Sequence, residues 1–128
     1  KVSFVEKIYQ PVTKLRQDGQ LQSALLKLDE LSVRYPGEAH GAILQGEILL
    51  EMGALEAAVS SFAAAVQRNG DYVDKHHPLS RTETIGQLVE RGLRQIAPRL
   101  QAQPDNPALA ESRRQLFYLQ SRLAGGCE

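Results

Sequence analysis

Apolar residues recur at helical spacing along most of the chain and divide it into six predicted helices. The clearest stripe lies in the fifth helix, where one face carries Ile85, Leu88, Val89, Leu93, Ile96 and Leu100. Such spacing is typical of a helix with one buried face. The predicted helices cover residues 3–17, 21–34, 38–52, 55–69, 81–101 and 107–124. The pattern therefore predicts an all-α fold of six antiparallel helices.

Prolines set several of the expected helix ends. The second helix stops before Pro36, because the residue before a proline is pushed out of the helical region. Asn106 and Pro107 form the cap and the first-position proline of the sixth helix. Two other prolines fall inside predicted helices. The first helix either kinks or begins at Pro11, and the fifth ends or bends at Pro98.

Three residues of the first half recur 34 positions later in the same order. The pairs are Gly19 with Gly53, Ala24 with Ala58, and Leu28 with Phe62. Each glycine follows one apolar stretch and precedes the next, where a left-handed residue ends a helix and starts a turn. Each alanine lies early in the following helix, where a small side chain lets two helices approach closely. The period predicts two helix-turn-helix units that stack on each other.

This pattern resembles the tetratricopeptide repeat family over residues 5–38 and 39–72. The second copy matches better, since it has Gly46 at the family's small first-helix position, where the first copy has Val12. The resemblance implies a single domain over residues 1–128, built as an α-solenoid of about six antiparallel helices.

The last helix pair lies outside the recognisable pattern. Residues 71–80 read as a loop with room for one helical turn, and residues 81–124 as a degenerate repeat or a capping helix pair. Roughly three repeats are usually needed for stability, because one helix pair cannot bury its apolar side alone. We expect the last pair to cover the exposed side of Phe62 within the same chain. The alternative is that two chains stack on each other as a dimer.

Charge and composition narrow the classes of function. Fifteen basic residues balance fifteen acidic ones, which argues against a general nucleic-acid surface. No stretch approaches the roughly 18 apolar residues of a membrane-spanning helix, so we expect a soluble domain without a membrane segment. The chain begins at Lys1, which favours a fragment of a longer protein, and the single cysteine, Cys127, leaves no internal disulfide. The compartment stays open between cytoplasm and periplasm, with a membrane-anchored parent as one option.

The sequence contains no catalytic constellation, and we expect a protein that is not an enzyme. A Gly-rich phosphate loop, a nucleophile elbow and a Cys/His cluster are all missing from it. Glu47 and Glu51 share a helix face, but nothing supplies the third partner that acid–base chemistry needs. His76 and His77 are adjacent and lack the i, i+4 spacing of a metal site on a helix. We expect neither a metal nor a cofactor.

The resemblance implies instead a protein-interaction scaffold or adaptor within a larger, bacterial assembly. In that family, the first helix of every pair lines a concave face that takes a peptide or a helix from a partner. The corresponding positions here are Tyr9, Gln10, Thr13 and Gln17 in the first helix, and His40, Ile43, Leu44, Glu47, Leu50 and Glu51 in the third. The family's carboxylate clamp for chaperone tails is missing, since Thr13 and Glu47 occupy its first-helix sites.

The third helix predicts the chemistry of the partner. Glu47, Leu50 and Glu51 lie together, one turn from Ile43 and Leu44, and form an apolar strip edged by negative charge. Such a surface suits a basic, amphipathic segment of another protein. The alternative function is self-association, in which this domain oligomerises a larger parent protein as a homodimer.

Overall fold

The computed structural model describes residues 2–125, which form six α-helices and one short 3-10 helix. The α-helices are α1 (Val2–Gln17), α2 (Leu21–Arg34), α3 (Ala39–Glu51), α4 (Leu55–Arg68), α5 (Thr82–Ala102) and α6 (Pro107–Leu123). The predicted all-α fold is confirmed, and the first four helices begin and end within one residue of their predicted bounds. Gly126 and Cys127 lie outside the described residues.

Neither internal proline interrupts its helix. The first helix runs through Pro11, so the alternative in which it begins there is wrong. Likewise, α5 continues past Pro98 to Ala102, so that proline does not end it. Both prolines are exposed. On the solvent side of a helix, the carbonyl that loses its partner can tilt towards water, which makes a proline tolerable there.

The turns after α1 and α3 have the same geometry, 34 residues apart. Gly19 and Gly53 adopt φ angles of +78° and +81°, in the left-handed region that favours glycine. After α1, the Gly19 amide donates to the Arg16 carbonyl and the Gln20 amide to the Leu15 carbonyl. After α3, the amides of Gly53 and Ala54 donate to the carbonyls of Leu50 and Leu49 in the same way. This pair of hydrogen bonds is the Schellman motif, which satisfies carbonyls that the end of a helix leaves free.

The helices enclose two apolar cores that meet at α3. Leu44 and Ile48 of α3 pack with α1 and α2, whereas Ile43 packs with α4, the 3-10 helix, α5 and α6. Helix α6 packs against α4, and Phe62 is completely buried, as expected if the last pair covers it within the same chain. The helix pairs are joined in two different ways. Between the first and second pairs, α2 packs against α3, whereas between the second and third pairs α4 packs more extensively against α6 than against α5.

Close helix crossings within the second and third pairs depend on glycine. A Cβ atom at Gly46 would lie 2.7 Å from the Phe62 ring, and one at Gly92 would lie 2.9 Å from Leu116. Each bulky side chain therefore packs directly on the backbone of the facing helix. This explains why Gly46 occupies the position that the sequence pattern marks as small.

The segment predicted as a loop over 71–80 begins with the 3-10 helix, Gly70–Val73. Tyr72 of that helix is buried in the larger core, and its carbonyl accepts a hydrogen bond of 2.7 Å from the Arg81 amide. His77 accepts a hydrogen bond from the Leu79 amide and lies 3.3 Å from Asp71. These contacts attach the segment to the core just before α5 begins. None of the described helices has the length and apolarity needed to cross a membrane.

Candidate functional site: the groove between α1 and α3

A groove of about 430 Å³ lies between α1 and the beginning of α3. Its lining consists of Glu6, Lys7, Tyr9, Gln10 and Thr13 from α1 and of His40 and Leu44 from α3. The α1 residues fall on successive turns of one helix face, so all of them border the same groove. The structure thus brings together five residues that the sequence analysis assigns to partner binding: Tyr9, Gln10, Thr13, His40 and Leu44.

The rings of Tyr9 and His40 form the floor of this groove, and the ring of Tyr72 stacks on His40 outside the lining. The His40 ring lies between Tyr9 and Tyr72, with ring centroids 5.7 Å and 5.8 Å away. Its Nδ1 is 3.0 Å from the Tyr72 hydroxyl. Glu38 caps α3 by accepting a hydrogen bond from the His40 amide, and the same carboxylate oxygen accepts one from the Tyr9 hydroxyl at 3.2 Å. These contacts hold α1, α3 and the 3-10 helix together.

All three rings are uncharged at neutral pH because the protein interior disfavours their ionised forms. Burial raises the pKa of Tyr9 and of Tyr72 above the usual tyrosine value, and the negative charge of Glu38 acts in the same direction. For a histidine the charged form is the protonated one, so burial lowers the pKa of His40, and Arg81 lowers it further. The floor therefore offers neutral donors and acceptors.

A network of four charged side chains runs alongside the groove. Glu47 accepts hydrogen bonds from Arg16 of α1 at 2.9 Å and from Arg81, just before α5, at 2.7 Å. Glu51 accepts a second hydrogen bond from Arg16, at 2.8 Å. Two guanidinium groups thus balance two carboxylates. The negative charge that the sequence analysis assigns to this surface is neutralised within the chain.

The remaining predicted partner-binding residues lie away from the groove lining. Ile43 is fully buried in the larger core, and Leu50 is partly buried against the same core. Gln17 is exposed at the end of α1. The apolar pattern of α3 cannot show which of Ile43 and Leu44 borders the groove. The two adjacent residues pack in different cores, because α3 has apolar neighbours on both sides.

Sequence reasoning missed the partners of these groove residues. Tyr72 lies in a segment that the sequence marks only as a loop, Arg81 is the first residue of the predicted fifth helix, and Arg16 is one of several basic residues on α1. A possible signal was the aromatic Tyr72 within a short polar segment, since an aromatic residue there favours docking onto a core. No comparable signal pairs Arg81 with Glu47, since they are 34 residues apart.

No protein-family model matches this chain, and no curated protein sequence matches it. Within residues 2–125, no group of three or more His, Cys, Asp or Glu side chains is arranged to hold a metal ion.

Proposed function

We propose that this chain is a non-catalytic protein-interaction module that binds a peptide segment of another protein in the groove between α1 and α3. The observation that carries the proposal is the composition of the groove lining. It combines Leu44 and Tyr9, which are almost completely buried at its base, with exposed polar side chains such as Gln10 and Thr13. Peptide grooves need both, since pockets bind the side chains of the peptide and polar groups bind its backbone. The resemblance to tetratricopeptide repeats supports the same face.

The charge of the partner has less support than its peptide nature. Glu47 and Glu51 already share Arg16, so a basic partner would have to compete with an existing ion pair. Glu6 and Lys7 at the groove edge carry opposite charges. We therefore propose that shape and hydrogen bonding contribute most of the affinity, and that a basic flank on the partner adds little.

Selection from a library of random linear peptides tests this proposal directly. Thr13→Arg places a long charged side chain in the groove, whereas Val33→Arg places the same side chain on α2, where Val33 is 82% exposed and outside the groove. Peptides recovered on the wild-type chain should bind the Thr13 variant about tenfold or more weakly, a loss of about 1.4 kcal/mol or more. They should bind the Val33 variant normally. Equal binding to both variants would remove the groove from consideration.

Self-association is the second candidate, and it is favoured by a different surface. A groove of about 520 Å³ between α5 and α6 is lined mainly by apolar residues, including Phe117, whose side chain is half exposed. Arg113 borders this groove, and Glu90 borders a neighbouring groove that shares Leu93 with it. A twofold interface must be complementary to itself, and a strip with both an acidic and a basic residue meets that condition.

Light scattering during size-exclusion chromatography tests this second candidate. If two copies dock through the α5–α6 strip, the wild-type chain should elute as a dimer at high concentration, and Phe117→Ser should elute as a monomer. Val33→Ser, which also removes an exposed apolar residue, is the matched control and should leave the dimer intact. A monomer at all concentrations would exclude self-association through this surface.

A further inference from the structure

His40 is a buried histidine with one nitrogen that has no hydrogen-bond partner among the described residues. The residue is 6% exposed, and its Nδ1 is paired with the Tyr72 hydroxyl. Its Nε2 forms no hydrogen bond with the described residues. Since no fully buried side-chain nitrogen or oxygen among them lacks a partner, Nε2 must keep contact with solvent. The groove between α1 and α3 is where His40 borders open space.

The hydrogen bond to Tyr72 determines which nitrogen carries the proton. Tyr72 is 1% exposed, and His40 is the only partner of its hydroxyl among the described residues. A buried hydroxyl that leaves its hydrogen without an acceptor costs about 1 to 3 kcal/mol. Tyr72 therefore donates to Nδ1, and the neutral ring must then carry its own hydrogen on Nε2.

The surroundings of the ring keep it neutral. Burial lowers the pKa of His40 below its ordinary value of 6.5, and the guanidinium of Arg81 acts in the same direction. The carboxylates of Glu38, Glu47 and Glu6 act in the opposite direction and do not outweigh these two effects. At pH 7 the group facing the groove is thus an uncharged N–H donor.

We propose that the Nε2–H group of His40 donates a hydrogen bond to a backbone carbonyl of an extended peptide bound in this groove. This inference rests on the proposed function and makes it more specific. An uncharged donor does not require a charged acceptor, and a backbone carbonyl pairs with it without the cost of desolvating a carboxylate. In a helical peptide most carbonyls are already bonded within the helix, whereas in an extended segment they are free. The bound segment is therefore extended, and it is held at an internal carbonyl.

The tautomer can be measured on the free 128-residue chain. In a two-bond proton–nitrogen spectrum of the protein with labelled histidine, Nε2 of His40 should carry the hydrogen at pH 7. A hydrogen on Nδ1 would overturn the inference whether or not any peptide binds.

Peptides selected on the wild-type chain test the bond itself. His40→Leu removes the donor and should weaken binding about tenfold, whereas His40→Gln retains an N–H donor and should keep most of the affinity. Amidated and free-acid forms of the same peptide should bind equally, since the acceptor is an internal carbonyl. The melting temperature of each variant serves as the folding control, and the comparison of amidated and free-acid peptides uses only the wild-type chain.

The outcomes separate this inference from the function on which it rests. If Thr13→Arg weakens binding tenfold or more but His40→Leu leaves the affinity unchanged, the groove binds peptides without His40, and only the present inference fails. A requirement for a free terminal carboxylate would overturn it in favour of an anionic ligand. If no selected peptide is sensitive to Thr13→Arg, both the function and the inference fail.

Discussion

The first two helix pairs share a turn but not a helix crossing. Gly19 and Gly53 lie in the turns that join the two helices of each pair. Both turns have the same left-handed conformation and the same two hydrogen bonds. In the second pair the Phe62 ring packs on the backbone of Gly46. In the first pair the equivalent positions hold Val12 and Leu28, which are both buried in the smaller core. The same turn geometry therefore accommodates two different kinds of interhelical contact.

The two pairs also differ in how they are attached to the rest of the chain. The second pair shares one large apolar core with α5 and α6. The first pair has a smaller core, and its outer helix leaves Leu26 and Val33 exposed. Polar contacts add to its attachment, through Tyr9 with Glu38 and Arg16 with Glu47. The candidate groove thus lies where the less extensively buried pair meets the more extensively buried one.

The largest expected effect on stability comes from replacing Gly46 in the second pair with valine, the residue at the equivalent position of the first pair, Val12. Gly46→Val places a branched side chain where even a Cβ atom would lie 2.7 Å from Phe62. Overpacking of this kind should lower the free energy of unfolding by about 3 kcal/mol. Denaturant titration of the variant and of the wild type gives the difference.

A second substitution shows whether Phe62 is responsible. Gly46→Val combined with Phe62→Leu reproduces the residues of the first pair at both positions, and it should recover part of the lost stability. If the double variant is no more stable than Gly46→Val alone, the ring of Phe62 is not what limits residue size at position 46.

The two turns should respond equally to the same change. Gly19→Val and Gly53→Val each place a β-branched residue at a positive φ, which costs about 1 to 3 kcal/mol. Space is not the reason, because a Cβ atom at either glycine would have no neighbour within 4 Å. Thermal or denaturant unfolding of both variants tests the equivalence. Asparagine, which tolerates this conformation, is the control and should cost less at both positions. Unequal costs would mean that one turn changes its conformation.

The smallest expected effect concerns the attachment of the first pair. Glu47→Gln weakens the hydrogen bonds from Arg16 and Arg81 and should cost about 1 kcal/mol, since the Glu47 side chain is only 13% exposed. Hydrogen exchange should become faster in α1 and α2, whereas α4 and α6 should change little. Glu56→Gln, which disrupts the more exposed pair with Arg99, is the matched control and should cost less than about 0.5 kcal/mol. Uniformly faster exchange would show that the chain unfolds as one unit.

Local features of the fold follow from the amino-acid sequence by itself. The helix bounds and the glycine turns depend on interactions between residues close in sequence or on apolar spacing along one helix. Such interactions leave a pattern in a single chain, which is why the first four helices were predicted to within a residue. The partner-binding positions Tyr9 and Thr13 came instead from the resemblance to tetratricopeptide repeats, and both lie in the lining of the groove.

Only the tertiary structure determined which side chains meet. It placed Ile43 in the larger core and its neighbour Leu44 in the smaller core beside the groove, paired Glu47 with two arginines, and placed Tyr72 against His40. These pairings depend on how helices distant in sequence are positioned relative to each other. That position is set by the sum of many apolar contacts, such as Phe62 on Gly46, so no single residue pattern encodes the partner of an individual charge or ring.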